Sequence, residues 1–152
     1  MSETKNFTAE EREAMKAAAA EKKTARSRAK KTPEEIRAEG EAEVLAKIAG
    51  FPDEDRMLGE RLYAMVAEAA GHLVPKTYYG MPAWANAAGK VVCFFKPKSK
   101  FKVRYSTFEF DTAANLDEGT LWPTAYAITD ATDADLAFLA DRVKRAASWA
   151  PE

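Results

Sequence analysis

One histidine, His72, and one cysteine, Cys93, are all the chain holds of the two residue types most used for nucleophilic catalysis and transition-metal binding. A zinc site of the usual His and Cys ligands cannot be assembled from one of each. A Ser-His-Asp or Cys-His constellation would have to be built around His72. His72 follows Gly71 at the expected end of a helix, where a C-terminal role is commoner than catalysis. Cys93 sits within Val91-Val92-Cys93-Phe94-Phe95, where a thiol usually behaves as a buried apolar group, and a single cysteine excludes an intramolecular disulfide. No phosphate-binding G-x-x-x-x-G-K-[ST] loop, G-x-G-x-x-G, G-x-S-x-G or H-E-x-x-H motif occurs. No catalytic residue can be named, so binding is placed ahead of enzymatic activity.

Three groups of side chains remain that could bind something. The first is acidic: Glu41, Glu43, Asp53, Glu54 and Asp55 decorate two expected helices and collect around a helix start. Oxygen ligands of this kind suit hard cations, although an exposed set would hold a metal weakly. The alternative is a solvated helix face. A second acidic set, Glu109, Asp111, Asp117 and Glu118, brackets a loop.

The second group is basic. Lys96, Lys98, Lys100, Lys102 and Arg104 fall at every second position, so an extended strand would put them on one face with Phe95, Phe101 and Tyr105 on the other. Such a face could bind a polyanion, or simply guard an exposed strand against aggregation. The third group is aromatic. Tyr78, Tyr79, Met81 and Trp84 crowd into Pro75-Lys76-Thr77-Tyr78-Tyr79-Gly80-Met81-Pro82-Ala83-Trp84, and Trp122 follows in Leu121-Trp122-Pro123. Together they are expected to line a shallow ligand pocket, the alternative being a kinked strand with its rings in the core.

The elements that must position these groups divide the chain into a charged, helix-prone extension over residues 1–40 and an α+β domain over residues 41–152. A capping box at Thr8 and Glu11 opens the extension, whose Ala14 to Lys31 stretch is rich in Ala, Lys, Arg and Glu and has almost no apolar stripe. A marginal solvated helix or a disordered arm is expected there. Lys22, Lys23, Arg26, Arg28, Lys30 and Lys31 give it an acid-free basic run, a candidate arm for nucleic acid or for a protein partner.

A second capping box, Thr32-Pro33-Glu34-Glu35, starts a helix that Gly40 is expected to interrupt. Asp53 then caps a core helix with Leu58, Leu62, Met65, Val66, Ala69 and Leu73 at helical spacing, ending at Gly71. From Lys76 the period becomes that of strands: Lys76 to Gly80, Ala83 to Asn86, Lys90 to Phe95, Phe101 to Phe110 with a bulge near Ser106 to Phe108, and Thr124 to Thr129. A capping box at Thr132 and Asp135 opens a closing helix that buries Leu136, Leu139, Val143 and Ala146. Helices, an antiparallel meander and a last helix predict an antiparallel sheet packed against helices.

The formal net charge of -1 leaves no global attraction for polyanions, so such a partner needs a local patch. No apolar stretch approaches the ~20 residues that span a bilayer, and no secretory signal core is evident. A cytoplasmic, membrane-free protein is expected.

The segments Lys76 to Pro82, Gly89 to Phe95, Lys100 to Tyr105, Ala114 to Gly119 and Leu121 to Ala125 resemble, in the same order, the YdhG-like family of small bacterial proteins. That family is a domain of unknown function whose fold is grouped with frataxin-like proteins. The resemblance implies an α+β sandwich and, for some members, an iron-chaperone role. By analogy of character iron would fall on Glu41, Glu43, Asp53, Glu54 and Asp55. Three functions are thus expected in turn: a non-enzymatic, iron-chaperone-like binding protein; a nucleic-acid or phosphate-ligand module using the basic extension and the Lys96 to Arg104 stripe; and a small-ligand or enzymatic role at the Tyr78 to Trp84 segment.

Overall fold

A computed structural model describes residues 7–28 and 30–148. The ends of the expected extension and domain, residues 1–6 and 149–152, lie outside the described residues, as does Ala29. The elements run α1 (Ala9–Arg28), α2 (Pro33–Ala49), α3 (Asp53–Ala69), β1 (Val74–Tyr78), β2 (Met81–Ala85), β3 (Val91–Lys96), α4 (Lys98–Phe101), β4 (Ser106–Phe110), β5 (Ala125–Ile128) and α5 (Asp133–Ala147). The architecture is α+β, and the strands form one antiparallel sheet in the order β1-β2-β3-β4-β5.

Strand alternation divides the sheet into two faces. Trp84, Cys93, Phe95, Phe108, Phe110 and Ile128 face Leu62, Met65 and Val66 of α3 and Leu139, Val143 and Ala146 of α5 in the main core. Rings run through that core from Tyr63 to Trp84, Phe108, Phe110, Tyr126 and Phe138, with neighbouring centroids 5.3 to 6.4 Å apart. That spacing is the tilted and edge-to-face range aromatic pairs prefer. On the other face Phe94 pairs with Glu109 and Lys96 with Thr107, all half-buried.

The expected capping boxes form at Thr8, Thr32 and Thr132, where each hydroxyl accepts from the backbone N–H three residues on and the carboxylate there accepts from the cap. Other expectations need correction. Helix α2 is continuous through Gly40, which is buried. A β-carbon there would lie 2.0 Å from the Pro75 carbonyl oxygen, so glycine serves a close approach of α2 to the edge strand rather than a break. Asp53 does not cap α3. Pro52 holds that position without a side-chain bond, and the core helix ends at Ala69 rather than at Gly71.

The strand expected from Phe101 to Phe110 begins only at Ser106. Pro97 stops the ladder, and two side chains then fold the next residues into the helical turn α4: Ser106 Oγ accepts from the Lys98 N–H at 2.9 Å and Asp55 Oδ2 from the Ser99 N–H at 3.1 Å. Lys102 closes the turn in a left-handed conformation, φ 54°. The sheet's irregularity lies between Trp84 and Ala85, not near Ser106 to Phe108.

Candidate functional site

The acidic candidates do not converge. Arg37 lies 3.5 Å from Glu41, Arg56 3.4 Å from Asp53 and Lys98 3.1 Å from Glu54, while Glu43 pairs with Arg28. Asp55 is only 1% exposed and is bound to the Ser99 N–H. Among the described residues no three His, Cys, Asp or Glu side chains group so as to hold a metal ion.

The basic stripe is likewise dispersed, because the residues that carry it turn instead of extending. Lys96 and Lys100 approach the Phe101 ring, at 5.2 and 5.6 Å from its centroid. Lys98 turns to Glu54, Lys102 to Glu10 at 2.7 Å, and Arg104 lies over Tyr105. The five cations therefore share no common face.

The aromatic candidates separate for a similar reason. Trp84 is 2% exposed in the core and Met81 is buried. Tyr78 lies on the opposite face against Phe94 and donates to Asp111 at 3.3 Å; Tyr79 is exposed at the β1–β2 turn. Burial, and then the Asp111 carboxylate, raise the Tyr78 phenol above its ordinary value, which keeps the hydroxyl a donor. Trp122 packs against the core from the loop before β5. The Cys93 thiol, fully buried, is pushed far up in pKa. His72 lies beyond the end of α3, and its ring reaches the carbonyl of Ala147, the last residue of α5, at 3.2 Å rather than serving the core helix as expected.

A wide cleft lies elsewhere. Helices α1 and α2 and the edge strand β1 enclose a groove of about 1620 Å³. Its apolar lining is largely alanine, with Ala17, Ala20 and Ala25 of α1, Ala46 of α2 and Ala85 of β2, beside the larger Ile36, Phe51 and Val74. Helix α1 approaches the sheet through alanines, which leave space that larger side chains would fill. The groove is larger than the ~300–1,000 Å³ usual for a compact small-molecule site.

Charge gives the groove its character. Arg28, Arg37, Lys47, Lys76 and Lys100 reach its lining, against Glu21 and Glu43. Arg28 is engaged by Glu39 and Glu43, and Arg37 donates to the His72 and Leu73 carbonyls, both at 3.1 Å. Lys47, Lys76 and Lys100 have no carboxylate partner among the described residues.

Comparison with known proteins finds no matching family model, curated protein or solved structure. The chain's own geometry therefore carries the functional reading.

At one end of the groove Glu21 meets the β1–β2 turn. Its two carboxylate oxygens accept from the Tyr79 N–H at 2.8 Å and the Gly80 N–H at 2.9 Å. Both turn residues have positive φ, 53° and 79°, which is the twist a two-residue hairpin between paired Tyr78 and Met81 demands. A tyrosine in that region costs roughly 1–2 kcal/mol, and a charge-assisted pair of hydrogen bonds offsets it. No short-range signal links Glu21 to a turn so far along the chain. Lys47 and Lys76 were equally invisible as site residues, since nothing local to either indicates a shared groove.

No helix among the described residues is long and apolar enough to cross a membrane.

Proposed function

We propose that the protein is a binding protein whose α1–α2 groove takes an amphiphilic anion, a carboxylate or phosphate joined to an apolar body. The observation that supports this reading is the pairing of alanine-rich apolar walls with three ammonium groups, Lys47, Lys76 and Lys100, that lack carboxylate partners among the described residues. Apolar area supplies the non-directional part of such binding and the lysines supply orientation. The reading keeps the phosphate-ligand chemistry expected from the basic extension and the Lys96 to Arg104 stripe, but assigns it to the groove, to which the stripe contributes Lys100.

The iron-chaperone role implied by the YdhG-like resemblance finds no support in the arrangement of Glu41, Glu43, Asp53, Glu54 and Asp55, each of which is already engaged. Calorimetric titration with octyl phosphate, inorganic phosphate and octanol tests the groove. The amphiphile should bind more tightly than either half alone, and Lys76→Gln should weaken it. Equal affinity for octyl phosphate and octanol would remove the role assigned to the lysines.

A further inference from the structure

Helix α1 meets the rest of the protein through polar contacts and a few alanines, without a large apolar side chain buried. Of its twenty residues only Ala14 is buried. Its attachments are Glu10 to Lys102, Glu21 to the Tyr79 and Gly80 amides, and Arg28 to Glu39 and Glu43. Ion pairs as exposed as Glu10–Lys102 contribute little to stability. The alanines that α1 turns toward the groove bury too little area to hold a helix by themselves. Arg28 ties the end of α1 to Glu39 and Glu43 of the adjacent α2, while the attachment that reaches the sheet is the central one, where both oxygens of a carboxylate meet two backbone N–H groups of a left-handed turn.

That turn is an anion-binding concavity in its own right, because successive N–H groups in such a conformation point to one side. Lys100 stands beside it: a β-carbon on Gly80 would lie 3.1 Å from the Lys100 Nζ. Two amides therefore hold the Glu21 carboxylate of α1 at the mouth of the groove, with the Lys100 ammonium on the β-carbon side of Gly80 and outside ion-pair distance of that carboxylate. Lys100 also lines the groove, so a ligand with its apolar body along the alanines can bring its anionic head to the same place.

We propose that α1 is a displaceable strap over the groove, latched by Glu21 acting as an internal substitute for the ligand's anion. The strap rests on the groove reading for its ligand class, while the latch stands on the Glu21 contacts alone. Entry of an amphiphilic anion then exchanges one carboxylate for another anion at the Tyr79–Gly80 turn, and the latch lowers the apparent affinity by the fraction of time it is closed.

The test uses the full chain and three proteins: wild type, Glu21→Ala, and Glu10→Ala as a control that removes a different attachment of the same helix. Amide hydrogen exchange and amide NMR shifts are read with inorganic phosphate and with octyl phosphate. In Glu21→Ala, exchange from Ala17 to Arg28 should rise about tenfold or more, the loss expected for charge-assisted hydrogen bonds. Inorganic phosphate should then shift the Tyr79 and Gly80 amides saturably, at concentrations that leave wild type and Glu10→Ala unmoved. Octyl phosphate should bind Glu21→Ala more tightly than wild type.

Unchanged α1 exchange in Glu21→Ala overturns the latch, and so does phosphate binding at the turn that is as strong in wild type. Failure of octyl phosphate to bind either protein removes the groove reading and with it the strap's purpose, while exchange and inorganic phosphate still decide the latch. Slow exchange at Val92, Cys93 and Phe95 verifies the fold. If Glu21→Ala loses it, Glu21→Gln is judged by the same criteria.

Discussion

Gly40 and Pro75 are in backbone contact: the position of a β-carbon on Gly40 lies 2.0 Å from the Pro75 carbonyl oxygen. Helix α2 can therefore lie against the outer strand of the sheet and cover an edge that would otherwise offer unpaired carbonyls. Arg37, one turn earlier, adds its bonds to the His72 and Leu73 carbonyls. Since backbone cannot move aside as a side chain can, Gly40→Ala should destabilise the protein by about 1–3 kcal/mol or more despite alanine's better helix propensity. Chemical denaturation checks this, and an unchanged midpoint would mean that α2 is not seated on β1 as described.

Asp55 organises the turn that disperses the basic stripe. Its carboxylate is buried and accepts from the Ser99 N–H beneath α4. Removing it should cost about 0.5–2 kcal/mol, the usual loss when a side-chain cap at a helix start is removed. Asp55→Ala is expected to lower the unfolding midpoint and to broaden the amide signals of Lys98 to Phe101. Retention of both at wild-type values would show that Pro97 and Ser106 hold the turn without it.

The fold class was legible because its signals are local and mutually consistent. Capping boxes at Thr8, Thr32 and Thr132 begin helices where those residues stand, and the change of period near Lys76 announces the sheet. The errors come from tertiary contacts. Lys96 to Arg104 alternates as a strand would, but Asp55, more than forty positions earlier, fixes a helical turn there. Gly40 reads as a breaker until the strand it must touch is known. The groove depends on Lys47, Lys76 and Lys100, which belong to three separate elements, and its strongest contact joins Glu21 to Tyr79. Spacing within one segment cannot reveal such partners. An isolated glycine within a helical pattern does signal close packing, and Gly40 could have been read that way.

Cys93 should be unreactive in the folded protein. Complete burial raises its thiol pKa, so the thiolate that attacks alkylating reagents is disfavoured throughout the neutral range. Labelling by iodoacetamide is expected to wait for unfolding and to accelerate with denaturant in step with loss of structure. Rapid stoichiometric labelling of native protein would contradict the placement of β3 in the sheet's centre.

The Glu10–Lys102 pair at the start of α1 should respond to both extremes of pH. The hydrogen bond from Lys102 is the largest cause holding Glu10 below its ordinary value of 4.5; Lys31 of the α1–α2 connection, and then Arg28 of α1, lower Glu39 in the same way. For a carboxylate with a depressed folded pKa, stabilisation is fully present above the unfolded value and is lost as pH falls through the folded one. Lys102, raised above 10.5 by Glu10, contributes below that value and loses its contribution as pH rises through its folded pKa. Carboxyl ¹³C shifts of Glu10 should thus titrate below the ordinary range and move toward it in Lys102→Met. Identical titration in the two proteins would mean that the pair is not formed in solution.

Octyl phosphate followed by amide NMR on the full-length protein tests the groove most directly. Saturable shifts at Lys47, Lys76, Ala85 and Ala46, on opposite walls of the cleft, are the predicted result, and they should diminish in Lys76→Gln. Shifts confined to the outward Lys22, Lys23 and Arg26 of α1, or no shifts at all, would contradict the assignment of the groove as the binding site.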